Sequence, residues 1–207
     1  MTRFRQLRCL KRSSRGLGLA FVRQLTSIPT SEVSKVFATA RGDSPVLDEL
    51  AQKSPGRVFF VKLDGLDVLI NNAGMCEYAS DRVESMDNLA DSFTINVLGV
   101  YWVMRTFIPL LQKDTLKKVA NISTTLGSII EARAAVYFPA PAYKISKAAM
   151  NALTVQYALD HEKEGLSFMA VFPGWMKPDL SGGDMADLTP EEGAKASLNV
   201  ILKPEQE

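Results

Sequence analysis

Tyr143 and Lys147 stand four residues apart in the run Tyr-Lys-Ile-Ser-Lys. On a helix that spacing puts a phenol and an ammonium on one face. A neighbouring cation favours the phenolate and lowers a tyrosine pKa from about 10. The phenol then becomes a proton donor and acceptor usable near neutral pH. Tyr-x-x-x-Lys alone is frequent by chance. Its weight here comes from the apolar run before it, which ends Asn121-Ile122-Ser123-Thr124-Thr125. A hydroxyl at Ser123 projects from the carboxyl end of that strand, where open α/β sheets bind ligands.

Two further strings point to the same kind of cleft. Val68-Leu69-Ile70-Asn71-Asn72-Ala73-Gly74 reads as a buried strand ending in two amides and two small residues. The amides can tie neighbouring strands, and Ala-Gly leaves room for a cofactor. Ser13-Ser14-Arg15-Gly16-Leu17-Gly18 precedes an apolar helical stretch. Glycines there let backbone approach a pyrophosphate at a helix N-terminus, where free N–H groups and the dipole favour negative charge. A simple helix-entry turn explains the same two glycines.

Positioning these groups requires alternating strands and helices. Short runs rich in Val, Ile and Phe at residues 33–38, 58–63, 68–70, 118–122 and 168–172 predict strands. Helical periods cover 18–25, 44–52, 86–111, 142–164 and 190–201, the last capped by Thr189 before Pro190. The third has a stripe at Leu89, Phe93, Val97, Val100, Tyr101, Met104 and Ile108, spaced by three and four. The alternation implies a Rossmann-like, doubly wound parallel sheet in three α/β/α layers, one domain over residues 1–207.

Composition excludes several other classes. The chain has 207 residues, 46% hydrophobic and 23% charged, with a net charge of +1, so there is no electrostatic case for nucleic acid. No apolar run reaches the roughly 20 residues of a membrane span. Cys9 and Cys76 lack metal or redox spacing and read as reduced thiols of a cytoplasmic protein. His161 sits in a polar stretch and reads as a solvated helix end. Residues 1–31 carry several basic residues and no acidic one, which a transit peptide would share. Gly16 and Gly18 favour assigning this stretch to the first strand and phosphate loop.

Taken together, these strings resemble the short-chain dehydrogenase/reductase family. Asn71-Asn72-Ala73-Gly74, a strand-end Ser123 and Tyr143-x-x-x-Lys147 occur in that family's order and approximate spacing. Ile95-Asn96-Val97-Leu98-Gly99 is similar to its helix motif, and Phe172-Pro173-Gly174-Trp175 to its post-strand loop. The likeness covers about residues 13–200 and is close from Asp67 to Asp179. Residues 173–176 and 190–194 look most like the branch holding C-factor-like and fungal secondary-metabolism reductases.

The resemblance implies an NADP(H)-dependent oxidoreductase interconverting a ketone and a secondary alcohol. Tyr143 would exchange the proton, and Ser123 would hydrogen-bond the carbonyl oxygen. Lys147 would lower the Tyr143 pKa and hold the nicotinamide ribose, and Asn96 would support a water relay to Lys147. Cofactor contacts are implied at Ser14, Arg15, Gly16, Leu17, Gly18, Asn72, Ala73, Gly74, Asn96, Tyr143, Lys147, Pro173, Gly174 and Met176. Asp64 would lie near the adenine and Arg41 near the adenosine ribose. Positive charge at Arg41 and Arg15 suits a 2′-phosphate and so NADP over NAD, although Arg41 also reads as a solvated loop charge. The two long helices resemble the family's dimer interface and imply a homo-oligomer acting on a small molecule, with no metal, nucleic acid or membrane partner.

Several features depart from the family pattern. Lys11 and Arg12 stand where its phosphate loop begins Thr-Gly, and residues 4–9 are too charged for a central parallel strand. A strand ending at Leu63 leaves about four Cα steps, at most about 15 Å, to reach Val68. The return needs about 20 Å along the strand and about 14 Å sideways. Pro178 replaces a usual Thr, and the chain stops at Glu207 before the sheet's usual last strand. The expected fold therefore has a degraded first strand, a missing crossover helix and no last strand, as in a truncated or internally deleted form. Two rival readings follow: a catalytically silent binding protein, and a non-redox isomerase or dehydratase using Tyr143.

Overall fold

Val68-Leu69-Ile70 has no polar side chain to turn outward, which suits a strand covered on both faces, and all three residues are buried. The computed structural model describes residues 7–11, 16–31, 33, 35–39, 44–56, 58, 66–79, 81, 83–175 and 188–203. The strands are β1 (Leu7–Lys11), β2 (Lys35–Thr39), β3 (Val68–Asn71), β4 (Lys118–Ile122) and β5 (Ser167–Val171). They form one parallel sheet in the order β2-β1-β3-β4-β5. The expected α/β/α layering is what the helices make of it.

Alternation along the strands sorts side chains to the two faces. Val68, Ile70, Ala120 and Ile122 face one layer, where Phe21, Val22 and Leu25 of α1 (Gly16–Ser27) meet Leu198 and Ile201 of α6 (Pro190–Ile201). Leu69 and Val119 face the other, against Val100, Met104, Ile108 and Leu111 of α4 (Gly99–Leu111) and Met150 of α5 (Pro141–Asp160). Burying a side chain such as Phe21 fully contributes about 2–3 kcal/mol.

Local chemistry sets the helix ends. Ser44 caps α2 (Pro45–Lys53), its hydroxyl accepting from the Leu47 N–H, with Pro45 in the first turn. Thr189 and Glu192 form a reciprocal capping box on α6, at the start expected from the sequence. The helical period expected over 142–164 breaks at Asp160 and ends in a 3₁₀ turn, Glu162–Glu164. The period expected from residue 86 begins at Leu89 as α3 (Leu89–Phe93). It continues through a π-helical turn, Thr94–Leu98, into α4. The whole helix Leu89–Leu111 is 23 residues, long and apolar enough by length and composition to cross a membrane, although the sequence offers no uninterrupted apolar run of that length. Its apolar stripe packs on β3, β4 and α5.

The first strand is a correction. Residues 7–11 pair on both sides, Leu10 opposite Ala38 in β2 and Ile70 in β3. Parallel ladders are made by backbone groups, and strand propensity yields to the neighbours it meets; the charged composition does not prevent the strand. The crossover objection also changes. Of the strand expected over 58–63, the described part is Val58, which makes one parallel bridge to Val36 on the outer side of β2. Eight Cα steps separate Val58 from Leu66, a reach of up to about 26–30 Å. That covers the three strand spacings of about 14 Å. Among the described residues the sheet stops at β5, and no helix lies between Val58 and β3.

Candidate active site

Four chain segments leave the carboxyl ends of parallel strands on one side of the sheet, and their first residues surround a cleft of about 730 Å³. Gly16, Leu17 and Gly18 come from the start of α1, and Asn72, Gly74, Met75 and Cys76 follow β3. Ser123, Thr124, Thr125 and Leu126 follow β4, and Phe172, Pro173, Gly174 and Trp175 follow β5. Tyr143 and Lys147 enter from α5, with Tyr137 and Phe138 before it. This is where an open parallel sheet presents a ligand site.

Buried amides fix the walls. Asn71 Nδ2 donates to Asn121 Oδ1 at 2.8 Å, and Asn121 Nδ2 donates to Thr154 Oγ1 at 2.8 Å, tying β3, β4 and α5 together. Asn96, in the π-helical turn and 0% exposed, holds the loop after β3. Its Oδ1 accepts from the Met75 N–H at 2.8 Å, and its Nδ2 donates to the Met75 carbonyl and to Ser146 Oγ, each at 2.9 Å. Ser146 Oγ in turn donates to the Tyr143 carbonyl at 2.8 Å. The 3₁₀ turn Thr125–Gly127 lies so close to α5 that a Cβ at Gly127 would sit 3.0 Å from the Lys147 carbonyl carbon.

Ser123 is fixed twice. Its N–H donates to the Val171 carbonyl at 2.8 Å, and its Oγ donates to Asn151 Oδ1 at 2.6 Å. Lys147 Nζ donates to the Ile122 carbonyl at 2.6 Å and lies 5.8 Å from the centre of the Tyr143 ring. Burial lowers the Lys147 pKa to about 8, partly countered by the Cys76 thiol. Burial, aided by Cys76, raises that of Tyr143 well above its ordinary value. This reverses the shift expected from a Tyr-x-x-x-Lys face. The ammonium is drawn to a strand-end carbonyl, and desolvation of the phenolate sets the shift. The surrounding walls also push the Cys76 thiol up to about 11, against a lowering by Lys147.

Of the candidate residues, Gly16, Leu17, Gly18, Asn72, Gly74, Ser123, Tyr143, Lys147, Pro173 and Gly174 share the cleft. Asn96 lies beneath its floor, and Ala73 is half-buried between two lining residues. Ser14, Arg15, Arg41, Asp64 and Met176 fall outside the described residues, as do Arg12 and Pro178. The described phosphate end fits a dinucleotide. Gly16 has φ +52°, a conformation costly with a side chain, and opens a twelve-residue helix towards the cleft. Sequence reasoning missed the aromatic wall of Tyr137 and Phe138, where Tyr137 stacks on Trp175 at 6.0 Å and 27°. It missed Asn151 as well, although its place four residues after Lys147 puts it on the catalytic stripe.

Comparison with known proteins agrees with this geometry. The family described as short chain dehydrogenase matches residues 57–188. The chain is 36% identical over 144 residues to C-signal of Myxococcus xanthus, covering 68% of this chain and 84% of that protein. It is 33% identical to the short-chain dehydrogenase/reductase AacuF of Aspergillus aculeatus, over 81% of this chain and 73% of that one. The crystal structure of NADPH-bound carbonyl reductase from chicken fatty liver superposes with a TM-score of 0.84 at 26% identity, covering 97% and 88% of the two chains. The chain belongs to the short-chain dehydrogenase family and is an oxidoreductase.

Proposed function

We propose that this chain uses NADP(H) to interconvert a ketone and a secondary alcohol, with Tyr143 as the proton donor and acceptor. The observation that carries the reading is the meeting of Ser123, Tyr143 and Lys147 in one cleft with the glycine-rich start of α1. Gly16, Leu17 and Gly18 would hold the pyrophosphate, and Asn72, Gly74 and Lys147 the nicotinamide ribose. When bound, the cofactor supplies or takes the hydride. Burial keeps the Tyr143 phenol protonated, the form that can hand a proton to a carbonyl oxygen. The strand-end hydroxyls of Ser123 and Thr124 line the cleft beside that oxygen's place. The NADPH-bound carbonyl reductase among the structural relatives supports NADP over NAD.

The substrate is uncharged and apolar. Leu126, Tyr137, Phe138, Phe172 and Trp175 wall its end of the cleft, and Lys147 is the charged side chain among the described lining residues. Likeness to fungal short-chain dehydrogenases supports a role in secondary-metabolite biosynthesis. Exposed Leu98 and Trp102 on one long helix and Val155 and Leu159 on the other support a homo-oligomer. A cytoplasmic setting agrees with the free Cys76 thiol. Titrating NADPH and NADH by fluorescence, followed by NADPH oxidation with a panel of aryl ketones, tests the reading. Saturable NADPH binding with ketone-dependent turnover is expected; absence of binding sinks it, and binding without turnover moves the reading to a non-redox reaction.

A further inference from the structure

We propose that Tyr137 and Trp175 are specificity-determining residues, a stacking platform that selects a substrate whose carbonyl is borne by a flat aromatic ring. The inference rests on the oxidoreductase reading above and names a substrate class for it. Both side chains line the same cleft as Tyr143 and Lys147. Their ring centres lie 6.0 Å apart, with 27° between the planes. Stacked rings touch at about 3.5 Å, so centres this far apart are slipped by about 5 Å and cover little of each other. Tyr137 is 60% exposed and Trp175 39%, so each keeps ring surface free for a third ring.

The two rings are exposed, but the backbone behind each is held. Lys144 Nζ donates to the Ala135 carbonyl at 2.5 Å, and the Ala79 N–H donates to the Pro139 carbonyl at 2.8 Å. Tyr137 therefore sits between two pinned points of one loop. Phe138 beside it packs on Tyr78, with ring centres 5.3 Å apart. On the facing loop the Leu188 N–H donates to the Trp175 carbonyl at 3.2 Å. Loops pinned in this way present their rings without the ordering cost that a free loop adds on binding. A flat arene joining the slipped pair gains contact between complementary ring quadrupoles. A saturated ring of the same size is puckered, has no π face and gains only the area it buries.

Two rival roles compete for the same rings: a stack on the cofactor's nicotinamide, and a surface contact that meets no ligand. The experiment compares the wild-type full chain with Tyr137→Leu, Trp175→Leu and the conservative Trp175→Phe. It reads kcat/KM for NADPH-dependent reduction of phenyl methyl ketone and of cyclohexyl methyl ketone, with NADPH affinity and thermal melts alongside. The two ketones share a carbon skeleton and differ in flatness. Their ratio in each variant, divided by the wild-type ratio, cancels their unequal intrinsic reactivity. Leucine keeps an apolar side chain at each position and removes the π face. Y137L and W175L should each lower the aryl-over-alkyl ratio about two- to tenfold, the worth of an aromatic contact beyond its area. The loss should fall mainly on KM, as for an interaction already made in the ground state. W175F should restore most of it, and NADPH affinity and melting temperature should stay at their wild-type values throughout. A ratio unchanged in both leucine variants, or an equal loss for the two ketones, overturns the platform. A fall in NADPH affinity that matches the fall in kcat/KM gives the rings to the nicotinamide and overturns it as well. A wild-type chain that binds NADPH and reduces the cyclohexyl ketone alone overturns this inference and leaves the oxidoreductase reading standing. A wild-type chain that binds no NADPH overturns both.

Discussion

On the α5 side of the cleft, side chains hold side chains: Asn71 to Asn121 to Thr154, Asn96 to Ser146, Ser123 to Asn151. On the α1 side, what meets the cleft is Gly16, Leu17 and Gly18, backbone at a helix N-terminus. A network of buried amides and hydroxyls demands particular residue types, because each lost partner strands another polar group. A site made of N–H groups demands a conformation, and many sequences reach it. The two sides should therefore respond very differently to substitution.

The largest effect should come from the reacting group. Tyr143→Phe removes the proton that the cleft keeps on the phenol, and ketone reduction should fall at least about a hundredfold to a thousandfold. NADPH affinity should stay within about twofold, because the hydroxyl is not what holds the phosphates. Steady-state kinetics beside a fluorescence titration separates the two. Equal loss of binding and turnover would dissolve the distinction between the two sides.

Next comes the network itself. Asn121 is 0% exposed and serves both Asn71 and Thr154. Asn121→Leu strands the Asn71 amide donor, while Thr154 keeps its own bond to the Met150 carbonyl, and should cost about 1–3 kcal/mol in urea unfolding, the scale of one stranded buried group. A loss below about 1 kcal/mol would show that the amide chain is ornament to the packing around it.

The same contrast explains what could be read in advance. That Ser123, Tyr143 and Lys147 meet in one cleft, with Asn96 beneath it, was legible because their strings fall at strand ends and on helices on one side of the sheet, and β4 and α6 were placed at their observed ends for local reasons. In β4 every residue is buried, and at α6 a capping box closes the turn. Residues 7–11 were misjudged because strand pairing is backbone chemistry that charged side chains do not forbid. The direction of the Tyr143 shift was misjudged because burial is a property of the folded cleft. No spacing of Tyr and Lys reports where the ammonium finds its carbonyl. Tyr137 and Phe138 escaped notice because a lone aromatic pair in a loop has no period to betray it.

A smaller effect tests the electrostatics of the α5 side. Lys147 binds its proton less tightly when folded, at about 8, than at its ordinary 10.5. The unfolded chain therefore holds more protons between those values. The cost of burying the charge is full below pH 8 and is relieved as pH rises towards 10.5. That cost is about 3 kcal/mol. Lys147→Met should escape it while stranding the Ile122 carbonyl at about 1 kcal/mol. The variant should be more stable than wild type by about 2 kcal/mol at pH 7. It should lose that advantage by pH 10, and it should be inactive. Denaturant melts at the two pH values decide it; an advantage that grows with pH would contradict the assigned direction.

The smallest effect belongs to the nucleotide side. Ser44 caps α2 through the Leu47 N–H, and Leu47 and Leu50 pack into the layer that also holds α1. Ser44→Ala should cost about 1 kcal/mol, the usual worth of such a cap, and lower the melting temperature by about 2–4 °C in a chain of this size. Because α2 carries none of the cleft's lining residues, kcat should not move. Amide hydrogen exchange gives the sharper reading. If the two sides are separate cooperative units, exchange should quicken in α2 and β2 and stay unchanged in α5, where buried side-chain bonds maintain protection. Uniform acceleration across both would mean that the sheet transmits the loss. The contrast between a backbone-built and a side-chain-built wall would then describe chemistry without describing stability.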